Sequence, residues 1–246
     1  MIESIRKSFN AFSKMPFMFV WASLMYLFML GAVLFAAIGF GLAYIVLLSV
    51  LSIPVDLYSA TSMAVFGVIA LAFIFVSGGL NASLARAYHS AYWKEKTSMT
   101  AFFRYALNKA PEMFGIMLVR DLVWLVLGGP AIAIFLYFLS DVEFMDALLI
   151  IYLLFVTFVV HMLFTPALLS AGAFGTDLIS SFRHGLVFMR KRHIYFIGIF
   201  AVFSLAWVLN WIPLLDLATI FFFYPVMYAA MVLMMEDSIK IERSDE

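Results

Sequence analysis

The chain has 246 residues, 66% of them hydrophobic, with a formal net charge of zero and a mean hydropathy of +1.08. Soluble domains hold roughly 45–50% apolar residues, so this composition cannot supply a water-facing surface, and no polar stretch is long enough for a separate soluble head. The absence of cysteine removes disulfides, thiol catalysis and cysteine-held metals.

What remains is an all-α integral membrane protein. Its apolar stretches run near the ~20 residues of a membrane-crossing helix, not the alternating ~10 of an outer-membrane barrel. The opening MIESIRKSFNAFSKMPF lacks the basic, apolar, small-residue order of a cleaved targeting peptide.

In chain order, residues 2–14 come first. Ile2, Ile5, Phe9 and Phe12 share one helical face, with Arg6, Lys7, Asn10 and Lys14 elsewhere. An apolar run then covers 16–54, too long for one span and barely enough for two. Further apolar runs follow at 60–79, 113–139, 147–171, 194–211 and 218–235. Before the third comes a second amphipathic stretch, 98–110, with Ser98 as N-cap and Met99, Phe102, Phe103, Ala106, Leu107 and Ala110 as its stripe. Before the fifth comes a third, 177–190, with Leu178, Ile179, Phe182, Leu186 and Met189 after Asp177. Such helices lie in the headgroup layer or pack on the bundle itself.

Charge sets the number of spans. If 16–54 is one span with a surplus from Gly41 to Pro54, six spans result and 14 of the 15 Lys and Arg fall on one side. The opposite loops then carry Asp56, Asp141, Glu143, Asp146 and Asp216 with no basic residue. Because Lys and Arg accumulate on the cytoplasmic side, both termini are expected there, in a cell membrane. The surplus is a helix extension or a re-entrant piece.

The chain also repeats itself. The returning spans two, four and six end in FVSGGLNA (75–82), FTPALLSA (164–171) and FYPVMYAA (223–230), each with Phe opening and Ala closing at a spacing of seven. The expectation is a six-transmembrane bundle forming one polytopic domain. Its three units, each an amphipathic helix plus two spans, cover about 1–96, 97–175 and 176–246. Pro166 and Pro225 lack a backbone donor and should bend their helices near the cytoplasmic end.

With its Phe9, Phe103 and Phe182 in the amphipathic stretches and Pro166 and Pro225 in the returning spans, the chain resembles a loose group of multi-pass proteins. The group includes the membrane domains of some bacterial glycerophosphodiester phosphodiesterases and related uncharacterised bacterial and archaeal proteins. The resemblance implies a fold and an association with lipid, and no phosphodiesterase domain is present.

Chemistry-bearing motifs are few. There is no phosphate-binding glycine loop, no HExxH and no nucleophile elbow, so no metal or cofactor is expected. NAS at Asn81 fits a glycosylation acceptor by letter but falls at the cytoplasmic membrane edge. RKRH at 190–193 resembles a nucleic-acid patch only in composition, and no nucleic-acid partner is expected. His89, His184 and His193 read as interfacial residues.

Three polar residues stand inside spans: Arg120 and Asp121 in GIMLVRDLVWLVL, and His161. Arg120 lies about 12 Å below the cytoplasmic edge at ~1.5 Å per residue, and His161 on the returning span sits at the depth of Asp121. The matching positions of the other units are Tyr26 and Leu27, Ile199 and Phe200, and Ala72 and Ile220. The scaffold therefore repeats without these polar groups, and Asp121 and His161 are expected to meet. They form either a functional cluster or a tie between spans three and four.

Three classes follow. The first is a non-enzymatic protein that handles lipids or small molecules, by transport or by membrane organisation. The second is a subunit or scaffold of a larger membrane complex, or a homo-oligomer. The third, an intramembrane enzyme, would have only Asp121 and His161 for acid–base work.

Overall fold

Capping residues decide where the long helices begin. Pro16 occupies the first turn of one, where its missing N–H costs nothing. The Ser59 and Ser98 hydroxyls accept from the Ser62 and Ala101 amides at 3.2 Å, and Asp177 accepts from the Ser180 amide at 2.9 Å. The computed structural model describes residues 2–54, 56, 59–139, 144–209 and 219–245.

Among these residues every regular element is a helix. They are α1 (Ile2–Lys14), α2 (Pro16–Val50), α3 (Ala60–Tyr92), α4 (Met99–Ile134), α5 (Met145–Phe174), α6 (Leu178–Leu209) and α7 (Tyr224–Asp245). Wider π-helical turns stand at Phe135–Leu139 and Thr219–Phe223. Four helices are long and apolar enough to cross a membrane: α2, α3, α4 with its π turn, and α5. The chain is a helical membrane protein.

The segmentation differs from the expectation at two places. Residues 98–110 and 113–139 are not separate elements, because α4 runs unbroken through Pro111. Likewise 177–190 forms the opening turns of α6, which continues to Leu209. Only the first amphipathic segment stands apart, ended by Met15 ahead of Pro16. A single proline removes one backbone bond but need not end a helix that neighbours hold on both sides. The surplus from Gly41 belongs to α2 as a helix extension up to Val50. Asp141, Glu143 and Asp216, and the end of the fifth apolar run, lie outside the described residues.

Helices of 30 to 36 residues are roughly 45–54 Å long, well beyond a ~30 Å hydrocarbon core. In α3 and α4 the excess lies at the end that holds Arg86, Lys109 and the amphipathic segments, and there the protein has its core. Phe19, Leu80, Tyr88, Phe102, Ile116 and Phe188 are all at most 2% exposed. By contrast, only 6–22% of the residues in the four most apolar windows are buried.

Small residues make this hub. A Cβ at Gly79 would collide with the Ala106 carbonyl of α4, and one at Gly172 would come within 3.0 Å of Ala82 Cα on α3. A Cβ at Gly185 would approach the Ala167 amide to 3.1 Å, so α5 and α6 are equally close.

The amphipathic segments pack in a closed order. The first part of α4 lies on α3, where Ser83 Oγ donates to the Phe102 carbonyl at 2.7 Å. The first part of α6 lies on α5, with Phe182 edge-on to Phe164. The π turn leading into α7 meets α1, with Phe222 edge-on to Phe9 and Phe12 at 6.0 and 5.0 Å. Ser8, Phe102 and Ser181, at matching positions of the three segments, are each no more than 1% exposed. Ser77, Pro166 and Pro225 are all buried, and so are Ala82, Ala171 and Ala230. Pro166 is carried inside α5, while Pro225 is the second residue of α7, just beyond the π turn, whose wider backbone makes room for a proline ring.

These contacts carry a test. Gly79→Val should lower the stability of the detergent-solubilised protein by about 1–3 kcal/mol or more, since backbone cannot yield as a side chain can. Gly67→Ala, on the same helix with nothing within 4 Å of its Cβ, should leave it unchanged or raise it. Equal melting temperatures for the two variants would show that the hub does not depend on the close approach.

Candidate functional site

Arg120 and Asp121 pair with each other. Arg120 Nε donates to Asp121 Oδ1 at 2.7 Å, and its Nη2 lies 2.7 Å from the same oxygen. Arg120 is largely covered, at 16% side-chain exposure, whereas Asp121 is 47% exposed. Adjacent residues on a helix point ~100° apart, but the long arginine side chain bridges that angle. Two charges that would each be unfavourable in hydrocarbon become one neutral pair.

His161 stands on α5, the helix that packs beside α4. Its own bond, however, runs along its helix, from Nδ1 to the Thr157 carbonyl at 2.8 Å. Thr165 then donates to the His161 carbonyl at 2.6 Å, just ahead of Pro166. Among the described residues no hydrogen bond joins Asp121 to His161: Asp121 is paired with Arg120 and His161 with the Thr157 carbonyl.

The ties between α4 and α5 come from residues that depth-matching of charges did not pick out. Trp124 Nε1 donates to Thr157 Oγ1 at 2.9 Å, and Tyr152 donates to the Leu127 carbonyl at 3.0 Å. Indole and phenol bury an apolar body while retaining one polar atom. In a sequence rich in Trp and Tyr they give no signal distinct from an interfacial belt.

A second polar layer closes the hub, built around the end of α5. Gly175, at φ +70°, stops that helix in the left-handed conformation. The last carbonyls of α5 and its following turn are then met from two neighbours. Arg86 donates to Ala173 O at 3.0 Å, Tyr105 to Gly172 O at 2.7 Å, and Lys109 to Thr176 O at 3.5 Å while also pairing with Glu112 at 3.1 Å. Cations at a helix C-terminus also complement its dipole. His89 lies 3.3 Å from Glu236, joining α3 to α7. Asn81 is held between the Tyr26 hydroxyl and the Ser77 carbonyl at 3.1 and 3.0 Å, which makes it a helix-packing residue.

Ser170 and His184 stand 2.9 Å apart in the same layer, and the order of protons around them can be worked out. Ser181 spends its hydroxyl proton on the Asp177 carbonyl at 2.6 Å, so it accepts from Thr176 at 2.6 Å. Thr176 therefore accepts from Ser170 at 3.0 Å, and Ser170 accepts from His184 Nδ1. A nucleophilic serine must give its proton to the imidazole. This one gives it elsewhere and is fully buried. The arrangement locks α5 to α6 and does not work as a nucleophile–base pair.

The open space lies between helices. A crevice of about 210 Å³ between α2 and the end of α3 is walled by Phe17, Trp21, Met25 and Ala87, with Glu95 and Lys96 at its rim. Nearer the far end, a cleft of about 390 Å³ lies between Phe40 of α2 and Val65, Val68 and Ile69 of α3. One of about 250 Å³ lies between Ile134 and Phe135 on one side and Leu148, Leu149 and Tyr152 on the other. No family model, curated protein or solved structure matches the chain.

Arg120→Met alone should leave Asp121 unpaired and lower stability in lipid nanodiscs, whereas Arg120→Met with Asp121→Leu should recover most of the loss. A double variant as unstable as the single would mean that the pair does more than neutralise itself. Trp124→Phe should cost about 0.6 kcal/mol, the mean for a hydrogen bond between membrane helices. Asp177 is held below the usual carboxylate range by hydrogen bonds from Ser180. Its capping contribution is thus complete above the ordinary carboxylate pKa and should fade as pH falls through the lowered value. Asp177→Asn should flatten that acid limb of a melting-temperature profile.

Proposed function

We propose that this chain is a non-enzymatic, six-span membrane protein that handles lipids, seating their tails between its helices and organising the bilayer around it. The observation that carries the reading is the uneven packing. A hub dense in Gly, Ala and Ser joins all the helices at one end, while the apolar windows beyond it stay mostly unburied and are separated by clefts with almost wholly aliphatic and aromatic walls.

Water gains nothing in such clefts, and acyl chains fill them without leaving a polar group unsatisfied. The crevice rimmed by Glu95 and Lys96 adds a polar end to an apolar slot, the division that a phospholipid itself has. In this reading the three units of amphipathic segment and two spans form the bundle, α6 and the run into α7 are the fifth and sixth spans, and both termini are cytoplasmic with the basic hub.

Two experiments test this. A diazirine-tagged phosphatidylcholine should crosslink on illumination to Val68, Leu148 and the Phe17–Met25 wall, and native mass spectrometry of a mild detergent extract should retain phospholipid on the protein. Retention of a stoichiometric protein partner with no lipid would favour a scaffold or subunit instead. For topology, a cysteine at Asp56 should react with an impermeant maleimide from outside intact cells and one at Ser98 should not. Labelling of Ser98 from outside would overturn the six-span arrangement.

A further inference from the structure

The hub surface carries a groove of about 380 Å³ between α1 and the end of α3, lined by Lys7, Asn10, Ala11, Lys14, Tyr92, Trp93 and Lys94. Three amines around one concavity repel one another unless something negative lies among them. Lys7 is partly answered, since it pairs with Glu3 at 2.9 Å and also feels Asp237. Among the described residues neither Lys14 nor Lys94 has an acidic partner.

The placement of Lys94 is also uneconomical for a mere turn. Its φ is +64°, the left-handed conformation that ends helices and that glycine adopts with least strain. The turn closes through bonds from the Lys94 amide to Ala91 O and from the Glu95 amide to Ser90 O, which glycine at 94 would also make. A lysine there keeps an amine at the groove.

Aromatic rings set the depth. Trp93 Nε1 lies 3.3 Å from His89 Nε2, the nitrogen that faces Glu236, and the Tyr92 ring stands edge-on to Trp93 at 5.2 Å. Trp and Tyr concentrate at the headgroup level of bilayers, where a helix such as α1 meets the lipid surface.

We infer that this groove is a binding site for the phosphate headgroup of an anionic glycerophospholipid, with Lys14 and Lys94 as the principal cations. Asn10 and Lys7 supply further donors, and Trp93 packs on the glycerol and upper chain. The site deepens the lipid-handling reading and rests on it, but it adds a preference: the clefts accept tails of any lipid, whereas the groove discriminates between headgroups. A lipid, rather than free phosphate, is the occupant because the groove combines unanswered amines with Tyr92 and Trp93. Free phosphate would gain nothing from those rings.

The test uses the full chain in nanodiscs of phosphatidylcholine alone or with phosphatidylglycerol of matched chains. Headgroup preference is read by competition in native mass spectrometry and by melting temperature. The wild type should prefer phosphatidylglycerol by on the order of thirtyfold, about what two lysines at an anionic membrane surface supply. Lys14→Ala with Lys94→Ala should abolish that preference while still retaining lipid of either kind. Arg104→Ala, which removes an exposed cation from α4 outside the groove, should keep it.

Added inorganic phosphate should shift neither readout. A shift with phosphate equal to that with phosphatidylglycerol would overturn the lipid assignment in favour of a small-anion site. Equal loss in Arg104→Ala would reduce the effect to diffuse surface charge and overturn the groove. Lipid retention without headgroup preference in the wild type would sink this inference yet leave the clefts' role standing, whereas loss of all lipid retention would sink both.

Discussion

Everything in this molecule hangs on how closely backbones approach at one end of the bundle. Lipid tails are as apolar as leucine, so burying leucine between membrane helices yields little. Helices associate there through close packing and hydrogen bonds, and both need small side chains. Gly79 against the Ala106 carbonyl, Gly172 against Ala82 and Gly185 against Ala167 bring α3, α4, α5 and α6 to backbone contact. Around those contacts Ser83, Tyr105, Arg86 and Lys109 reach carbonyls that larger residues would have pushed out of range.

That constraint divides the molecule by depth. Near the basic end, helix surfaces are serine, alanine and glycine, and the amphipathic segments find partners within the protein. Farther along α2 the surface turns to Phe28, Leu34, Phe35, Ile38 and Phe40, all exposed. These residues cannot interdigitate with a neighbour at backbone distance, and their partner is the bilayer. The same composition that makes the chain insoluble thus serves two purposes, according to whether a small residue lies opposite.

Much of this was readable from residue order. Ser98 and Asp177 cap the helices they precede, because a short oxygen-bearing side chain before an apolar stripe has one obvious use. Ala82, Ala171 and Ala230, which close the Phe-to-Ala stretches, are all buried, as small residues at helix contacts are. Other features depend on distance across space and leave little local trace. Arg120 pairs with its neighbour in sequence because of side-chain length, which a count of residues per turn does not reveal. Trp124 finds Thr157 through the crossing of α4 and α5, and nothing around either residue marks it. The unbroken passage of α4 through Pro111 is also tertiary, since local preference alone would stop the helix.

The π turn at Thr219–Phe223 ties the hub's closure to a matter of counting. A π turn holds about one residue more than an α turn, and one residue corresponds to ~100° of rotation. Phe222 sits within that turn and receives both Phe9 and Phe12 of α1. Its bearing on α1 is therefore set by chain length as much as by side-chain identity. Deleting one residue there would swing the phenyl ring to another side of the helix without altering any residue of the amphipathic segment. The grip on the chain's first helix would be lost to an error of phase more than two hundred residues downstream.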